Sequence, residues 1–204
     1  MSLINRIFNK NPYEDFNENL EVDLQGWGTN TSFLNQLIDE IKPTLIIEVG
    51  SWKGVSAIDM GKYIRKVKLG CEILCVDTWL GSIEHMNYPP VKNGYPQIYF
   101  QFLKNVIAHN LCDIIVPFPN TSSIAAQWLY KHNITPNLVY LDGSHNEEDV
   151  LYDIEHYYEL IDHGILCGDD YKWIGVEYAV NTFCNRKNLK FELLNDGVLW
   201  LIRK

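Results

Sequence analysis

The stretch IIEVGSWKGVSA, residues 46–57, decides the fold of this chain because it joins a strand-like run to a helix-like run through a glycine turn. A short apolar run bounded by turn residues is typical of a strand buried on both faces of a sheet. The run carries one acid, Glu48, and ends at Gly50, with Gly54 four residues further on. Glycine lacks a Cβ atom, so it permits unusual backbone angles and the close approach of a ligand. The stretch therefore predicts a strand–turn–helix unit with a binding turn.

Strand-like runs recur along the chain and alternate with helical patterns. They cover residues 44–49, 71–77, 113–118, 137–142 and 164–170. Two more strand-like runs flank an Asn-Asp-Gly turn at 195–197, and Asp-Gly between such runs is a hairpin signal. This order predicts an α/β fold with a doubly wound, seven-stranded, mostly parallel sheet of the Rossmann-like type and a C-terminal antiparallel β-hairpin.

The domain organisation follows from the same patterns. Residues 1–30 are polar with scattered aromatics and predict an irregular N-terminal arm, whereas residues 31–204 predict a single domain. A long connection at 79–97 is a predicted lid, because long loops in compact domains are usually lids or binding loops. Aromatic side chains in and near this loop are candidates either for a substrate pocket or for the core. They are Trp52, Trp79, Tyr88, Tyr95 and Trp173.

Charge and composition narrow the classes of partner. The net charge is −9 and the chain has no dense run of lysine and arginine, so no nucleic-acid partner is expected. No apolar segment is long enough to cross a bilayer, so no membrane partner is expected. The five cysteines form no C-x-x-C pair, which favours a reducing, cytoplasmic setting. A small molecule is the expected partner, and self-association into a homo-oligomer is left open.

The glycine spacing and Glu48 together indicate the kind of cofactor. The spacing is G-x-x-x-G rather than the G-x-G-x-x-G of dinucleotide sites, and a carboxylate here would repel a pyrophosphate but attract a cation. Asp77 ends the second strand, where an acid can hold ribose hydroxyls. A ligand with a ribose, an adenine, a carboxylate and a cationic centre is S-adenosylmethionine. The alternative is an ordinary strand–turn–helix in which the glycines serve packing.

The stretch EVGSWKGVS resembles motif I of the class I S-adenosylmethionine-dependent methyltransferases, and the C-terminal hairpin resembles the last two strands of that family. The resemblance extends from about residue 25 to the C-terminus. It implies that the segment Gln25-Gly26-Trp27 covers the methionine end of the cofactor and that the loop after the third strand lies against the adenine. A helix cap is an equally good account of Ser122 in that loop. The implied cofactor-binding residues are Glu48, Gly50, Ser51, Trp52, Gly54, Ser56, Asp77, Thr78, Thr121, Ser122 and Asp142.

Three acids follow the fourth and fifth strands, in YLDGSHNEED and GILCGDDY. Adjacent ends of parallel strands meet at one edge of a sheet, so Asp142, Asp169 and Asp170 are expected to lie together. Carboxylates in one partly buried place repel one another unless a cation compensates them. Oxygen ligands favour Mg²⁺, with Mn²⁺ or Ca²⁺ as alternatives. The sequence therefore predicts a metal site at these three residues.

The same region is similar to metal-dependent O-methyltransferases of the catechol type and to enzymes that methylate antibiotic sugars. In the catechol type, a Lys stands three residues after the first Asp and Asp-Asn follows the fifth strand; here His145 replaces the Lys and Asp170 the Asn. The resemblance implies O-methylation of a small hydroxylated acceptor, such as a sugar, a phenol or another natural product. The predicted catalytic residues are His145 and Asp142, with the metal lowering the pKa of the acceptor hydroxyl and His145 taking its proton.

Three alternatives stay open at this point. Ser144 and Glu147 also fit a capping box at a helix start, which would leave His145 as an ordinary surface residue. A metal-independent N- or O-methyltransferase would use Asp142 and Asp169 to position a substrate amine. A hydroxylase-like or non-catalytic relative would keep the fold and bind the cofactor without transferring a methyl group.

Overall fold

The structure is a computed structural model that describes residues 2–25, 31–82 and 91–204. In the described residues the chain forms a seven-stranded sheet and a separate two-stranded hairpin. The strands are β1 (Leu45–Val49), β2 (Glu72–Asp77), β3 (Val91–Lys92), β4 (Tyr95–Pro96), β5 (Ile115–Pro119), β6 (Leu138–Leu141), β7 (Ile165–Gly168), β8 (Glu192–Leu194) and β9 (Leu199–Arg203).

The strand order of the main sheet is β5-β2-β1-β6-β7-β9-β8. The first five strands in this order, β5, β2, β1, β6 and β7, are parallel to one another. Strand β9 is antiparallel to both β7 and β8. The turn between β8 and β9 contains Asp196 and Gly197, both with positive φ (54° and 79°). The predicted doubly wound sheet and its C-terminal hairpin are confirmed.

Helices connect the parallel strands, as the alternating pattern predicted. Among the described residues, no helix is long and apolar enough to cross a membrane. The helices are α1 (Leu3–Ile7), α2 (Ser32–Ile41), α3 (Val55–Val67), α4 (Ile98–Ala108), α5 (Ser122–Lys131), α6 (Glu147–Leu160) and α7 (Ile174–Lys187).

Strands β1 and β6 are neighbours in the middle of the sheet and are buried on both faces. Ile46 and Ile47 are successive residues of β1, so their side chains point to opposite faces. Both side chains have no exposed surface, and the same is true of Leu138 and Val139 of β6. Both faces of the sheet are therefore covered, which explains why these strands read as continuous apolar runs rather than as alternating ones.

The N-terminal arm contains a short helix, α1, where the sequence predicted only irregular structure. Leu3 and Ile4 are buried, and the Leu3 N–H donates to Glu72 Oε1 at 3.1 Å. Further along, the Tyr13 hydroxyl donates to the Ile115 carbonyl at 2.9 Å. The arm therefore packs beside the β2–β5 edge of the sheet. The predicted boundary at residue 30 falls in 26–30, outside the described residues.

The predicted lid at 79–97 is described only at its two ends. Tyr88 lies outside the described residues, as do Gly26 and Trp27. Trp79 is 1% exposed and packs against the rings of Tyr99 and Phe102, at centroid distances of 5.0 and 4.9 Å. Trp79 is therefore a core residue rather than part of an open pocket.

The strand order reverses between β1 and β6, and this reversal positions the candidate site. From β1 the chain continues to β2 on one side, whereas β6 and β7 lie on the other side. In open α/β sheets, ligands bind in the crevice outside the carboxyl ends of the strands at such a point. The turn after β1 and the loop after β6 flank this crevice.

Candidate active site

The turn after β1 is shaped by two glycines in the left-handed region. Gly50 has φ +91°, and a Cβ atom there would lie 2.0 Å from the Asp142 carbonyl oxygen. Gly54 has φ +88° at the start of α3, and its Cβ would lie 3.0 Å from the Phe102 ring. Backbone conformation and packing against protein atoms therefore explain both glycines. Their contact with a cofactor stays a prediction.

Glu48 lies beneath this turn and has no exposed surface. The Ser56 hydroxyl donates to Glu48 Oε1 at 2.5 Å, and the Cys75 thiol lies 3.6 Å from Oε2. Burial raises the pKa of the Glu48 carboxyl, while the hydrogen bond from Ser56 acts in the opposite direction. Glu48 thus supports the turn from below, and its predicted attraction for a cationic cofactor is untested.

Asp77 links the end of β2 to the turn after β1. Its Oδ2 accepts the Trp52 N–H at 2.8 Å and its Oδ1 accepts the Trp79 N–H at 2.7 Å. The Trp79 indole N–H donates to the Trp52 carbonyl at 2.7 Å. Thr78 is exposed, and its hydroxyl oxygen accepts the Leu80 N–H at 3.3 Å. Asp77 therefore orders two neighbouring loops at the rim of the crevice.

The loop after β5 carries the two residues that were predicted to face the adenine. Thr121 is the N-cap of α5, and its Oγ1 accepts the Ile124 N–H at 3.2 Å. Ser122 is the first residue of the helix, and its carbonyl accepts the Tyr157 hydroxyl at 3.1 Å. The cap is therefore Thr121 rather than Ser122. Contact of either residue with adenine stays a prediction.

Tyr140, which no pattern in the sequence singled out, lies between Asp142 and Asp169. The Tyr140 hydroxyl lies 3.2 Å from Asp142 Oδ2 and 3.3 Å from Asp169 Oδ2. Burial and the neighbouring carboxylates raise the pKa of Asp142 well above its usual value, and burial also raises the pKa of Asp169. Tyr140 lies on β6, two residues before Asp142. Because residues two apart in a strand point to the same face, this spacing was the sequence signal for their contact.

Asp170 and His145 form a second pair beside the first. His145 Nε2 lies 2.9 Å from Asp170 Oδ2, and the His145 ring stacks on Trp173 at a centroid distance of 4.3 Å. The His145 side chain is 27% exposed and that of Asp170 35%. His145 is therefore held in place by two contacts and is not an ordinary surface residue.

The capping-box alternative for this loop is wrong. Helix α6 begins at Glu147, and its cap is Asn146, whose side-chain oxygen accepts the Glu148 N–H at 3.0 Å. Ser144 instead accepts the Asn146 N–H at 3.1 Å and donates to Asp149 at 2.9 Å. Asn146 takes the cap position because its backbone is extended, directly before the first helical residue.

The three predicted metal ligands are not assembled into one group in this structure. Asp142 and Asp169 share the Tyr140 hydroxyl, whereas Asp170 is turned to His145. Across the described residues, no three His, Cys, Asp or Glu side chains lie close enough together to hold a metal ion. In this arrangement the residues do not fit the predicted ion, and the metal site stays a prediction.

Lys53 in the turn after β1 is a second residue that the sequence did not single out. It is 5% exposed, and its ammonium group donates to Asp23 Oδ2 at 2.5 Å and to Gln25 Oε1 at 2.9 Å. Asn105 of α4 is fully buried and donates to the Lys53 carbonyl at 2.8 Å and to the Asp23 carbonyl at 2.7 Å. These partners are far apart in the chain, so no local pattern signals the contact.

Several solved structures share this fold at low sequence identity. The O-methyltransferase NovP is 14% identical, with a TM-score of 0.66 over 85% of this chain and 78% of that chain. The calicheamicin methyltransferase CalS11 is 18% identical, with a TM-score of 0.63 over 85% of this chain and 76% of that chain. An O-methyltransferase from Bacillus cereus, solved in complex with SAH, is 13% identical, with a TM-score of 0.62 over 98% of this chain and 90% of that chain. Identities this low show the fold alone.

The sequence itself gives the family. No curated protein matches the chain. A family model described as a methyltransferase domain matches residues 47–171, which span the turn after β1, Asp77, the loop after β6 and the three acids at the crevice. Because this match covers more than half of the chain, the protein belongs to the methyltransferase-domain family.

Proposed function

We propose that this protein transfers a methyl group from S-adenosylmethionine to an oxygen of a small hydroxylated acceptor, such as a sugar, a phenol or another natural product. The observation that carries the proposal is the His145–Asp170 pair, which stands at the crevice of a methyltransferase-family chain. The fold neighbours add support, because two of them are described as O-methyltransferases and one of these holds SAH.

The cofactor part of the proposal rests on the loops that surround the crevice. The turn after β1 would take the amino-acid end of S-adenosylmethionine, with Glu48 beneath it. Asp77 would take the ribose. Each carboxylate oxygen has two lone pairs, so Asp77 can accept ribose hydroxyls while it keeps its bonds to the Trp52 and Trp79 N–H groups.

His145 is the proposed general base. When Asp170 is ionised it accepts the proton on Nε2, so the neutral ring carries its lone pair on Nδ1. The acceptor oxygen forms the new O–CH₃ bond, the S–CH₃ bond breaks, and its electron pair returns to sulfur to give S-adenosylhomocysteine. His145 takes the hydroxyl proton. Asp142 would orient the acceptor hydroxyl.

We further propose that a divalent metal ion such as Mg²⁺ assists the methyl transfer. Metal assistance is supported by the raised pKa values of Asp142 and Asp169. Burial is the main cause for both, the Asp169 charge adds to the effect on Asp142, and a bound cation would favour the ionised form of both carboxyls. A set of three oxygen ligands requires Asp170 to turn away from His145. The requirement for Mg²⁺ is therefore tested separately from the role of His145.

The test combines calorimetry with a transfer assay. We expect saturable binding of S-adenosylhomocysteine, and transfer of labelled methyl from S-adenosylmethionine to at least one member of a panel of catechols, phenols and nucleotide sugars. His145→Gln should keep cofactor affinity and lose most transfer, about 10²-fold or more for a general base. His156→Gln is the matched control, because His156 is exposed on α6.

The outcomes separate the parts of the proposal. Failure to bind S-adenosylhomocysteine would overturn the cofactor, and transfer only to amines would overturn the O-acceptor. Binding without transfer to any acceptor would favour a non-catalytic relative. Mg²⁺ titrated into the complex with S-adenosylhomocysteine should bind in the wild type and fail to bind in Asp169→Asn; activity that persists in chelator would contradict metal assistance.

A further inference from the structure

A small cleft lies beneath the acidic loops, on the side where α6 and α7 meet the sheet. Its volume is about 20 Å³, enough for one water molecule. The upper wall is formed by the loops after β6 and β7, and the lower wall by α6, α7 and β9. Its lining includes Asp142, Asp169, Ser144, Asp153, Val176 and Trp200.

Trp200 of β9 brings a buried hydrogen-bond donor to this cleft. The residue is 1% exposed, and its indole Nε1 has no hydrogen-bond partner among the described residues. The ring lies over Gly168, because a Cβ at Gly168 would be 2.7 Å from Trp200 Cε2, the atom bonded to Nε1. The donor is therefore held at the end of β7, one residue before Asp169.

Asp153 of α6 brings a buried acceptor to the same cleft. It is 7% exposed, and Ser122 of α5 lies beside its carboxylate. Its Oδ1 is buried and has no hydrogen-bond partner in the described part of the chain. Buried polar atoms are almost always hydrogen-bonded, so an orphan donor and an orphan acceptor in one cleft point to a shared ligand.

The chemistry of the lining selects the ligand. A cation is disfavoured by the indole N–H, which donates and cannot accept, and an anion is disfavoured by the Asp142, Asp153 and Asp169 carboxylates. A neutral molecule that both accepts and donates fits both atoms. The volume admits one molecule of the size of water.

We propose that the cleft is a built binding site for an ordered water molecule, which accepts from the Trp200 indole N–H and donates to Asp153 Oδ1. This water joins α6 to β9 directly below the acidic loops. The inference does not depend on methyl transfer, since it concerns only groups that the fold buries.

The test measures the water directly in the full-length protein, without a substrate. In ¹⁵N-labelled protein, Trp200→Phe identifies the indole N–H signal of Trp200 by its loss. We expect that signal to show cross-relaxation with water, with the opposite signs of nuclear and rotating-frame Overhauser effects that mark a long-lived internal water. Asp153→Leu should abolish this cross-relaxation, whereas Asp153→Asn, which keeps an acceptor oxygen, should retain it.

Two control variants sharpen the result. Glu155→Gln changes a carboxylate on the same helix that bonds Arg186 and should leave the Trp200 signal unchanged. Ser144→Ala should also leave the cross-relaxation in place. That result would show that the effect does not arise from exchange of the Ser144 hydroxyl proton with water. Absence of cross-relaxation in the wild type would overturn the proposal, as would its persistence in Asp153→Leu. If Asp153→Leu does not fold, loss of the effect in Asp153→Asn would count against the proposal.

Discussion

Gly50 illustrates how a single residue serves the architecture of the crevice. The sequence assigned it to a turn that lets a ligand approach, and the structure shows protein backbone in the space next to it. The loop after β6 crosses so closely that the Asp142 carbonyl would lie 2.0 Å from a Cβ at Gly50. The glycine therefore lets two strand ends meet, and this contact positions Asp142.

Replacing Gly50 is expected to cost stability. Gly50→Ala combines a positive φ of 91° with a clash against backbone, so we expect a loss of about 2–4 kcal/mol in the free energy of unfolding. Gly70→Ala is the matched control, because nothing lies within 4 Å of its Cβ, and it should change stability by less than about 0.5 kcal/mol. Urea denaturation compares the two. Equal effects would show that the close approach to Asp142 is not required.

Glu48 predicts a defined dependence of stability on pH. Its folded pKa is raised by burial, so the native state binds the proton more tightly than the unfolded state. Its contribution to stability is therefore largest below the ordinary pKa of 4.5 and is lost progressively as pH rises from there to the folded pKa.

Glu48→Gln should flatten this loss, because an amide cannot ionise. We expect the variant to gain stability progressively relative to wild type as pH rises from about 4 to 7. Denaturation curves across that range measure the difference. Glu148→Gln, on the exposed first turn of α6, is the control, and its stability should change with pH in the same way as that of the wild type. A constant difference between Glu48→Gln and wild type at every pH would contradict a raised pKa.

At the scale of elements, α4 joins the N-terminal arm to the turn after β1. Asn105 of α4 donates to the Lys53 and Asp23 carbonyls and accepts from the Asp23 N–H at 3.1 Å. The Lys53 ammonium completes the contact by pairing with Asp23 at 2.5 Å. Residues of three separate elements thus fix the conformation of the candidate cofactor turn.

Removing Asn105 should loosen both the arm and the turn. Asn105→Ala leaves buried backbone groups unpaired, so we expect a loss of about 2–3 kcal/mol in stability and weaker binding of S-adenosylhomocysteine. Asn185→Ala, at an exposed position of α7, should cost less than about 0.5 kcal/mol. Hydrogen exchange should show faster exchange of the Asp23 and Gln25 amides in Asn105→Ala alone. Unchanged protection there would refute the coupling.

At the scale of the whole molecule, the five parallel strands of the main sheet end at the same edge, and the crevice lies at that edge. If the crevice binds S-adenosylhomocysteine, that ligand binds only the folded protein and raises its stability. At a ligand concentration of about 100 times the Kd, the expected gain is about 2.7 kcal/mol. NADH should give no comparable shift, because the turn after β1 lacks the dinucleotide spacing. Stabilisation by NADH and not by S-adenosylhomocysteine would reverse the choice of cofactor.

The sequence by itself determined the architecture. Continuous apolar runs, their alternation with helical patterns and the Asp-Gly turn predicted the strand–helix order and the C-terminal hairpin, because these features depend on residues that are close in the chain. It also placed Asp77, Asp142 and Asp169 at strand ends, since the carboxyl end of a parallel strand follows from the strand alone.

Only the tertiary structure decided how these side chains are paired. Tyr140 bridges Asp142 and Asp169, Asp170 turns to His145, and Lys53 is buried against Asp23. Each of these contacts except that of Tyr140 with Asp142 joins residues at least 25 positions apart. Such pairings depend on side-chain direction and on the space left by other elements, which local sequence patterns do not encode.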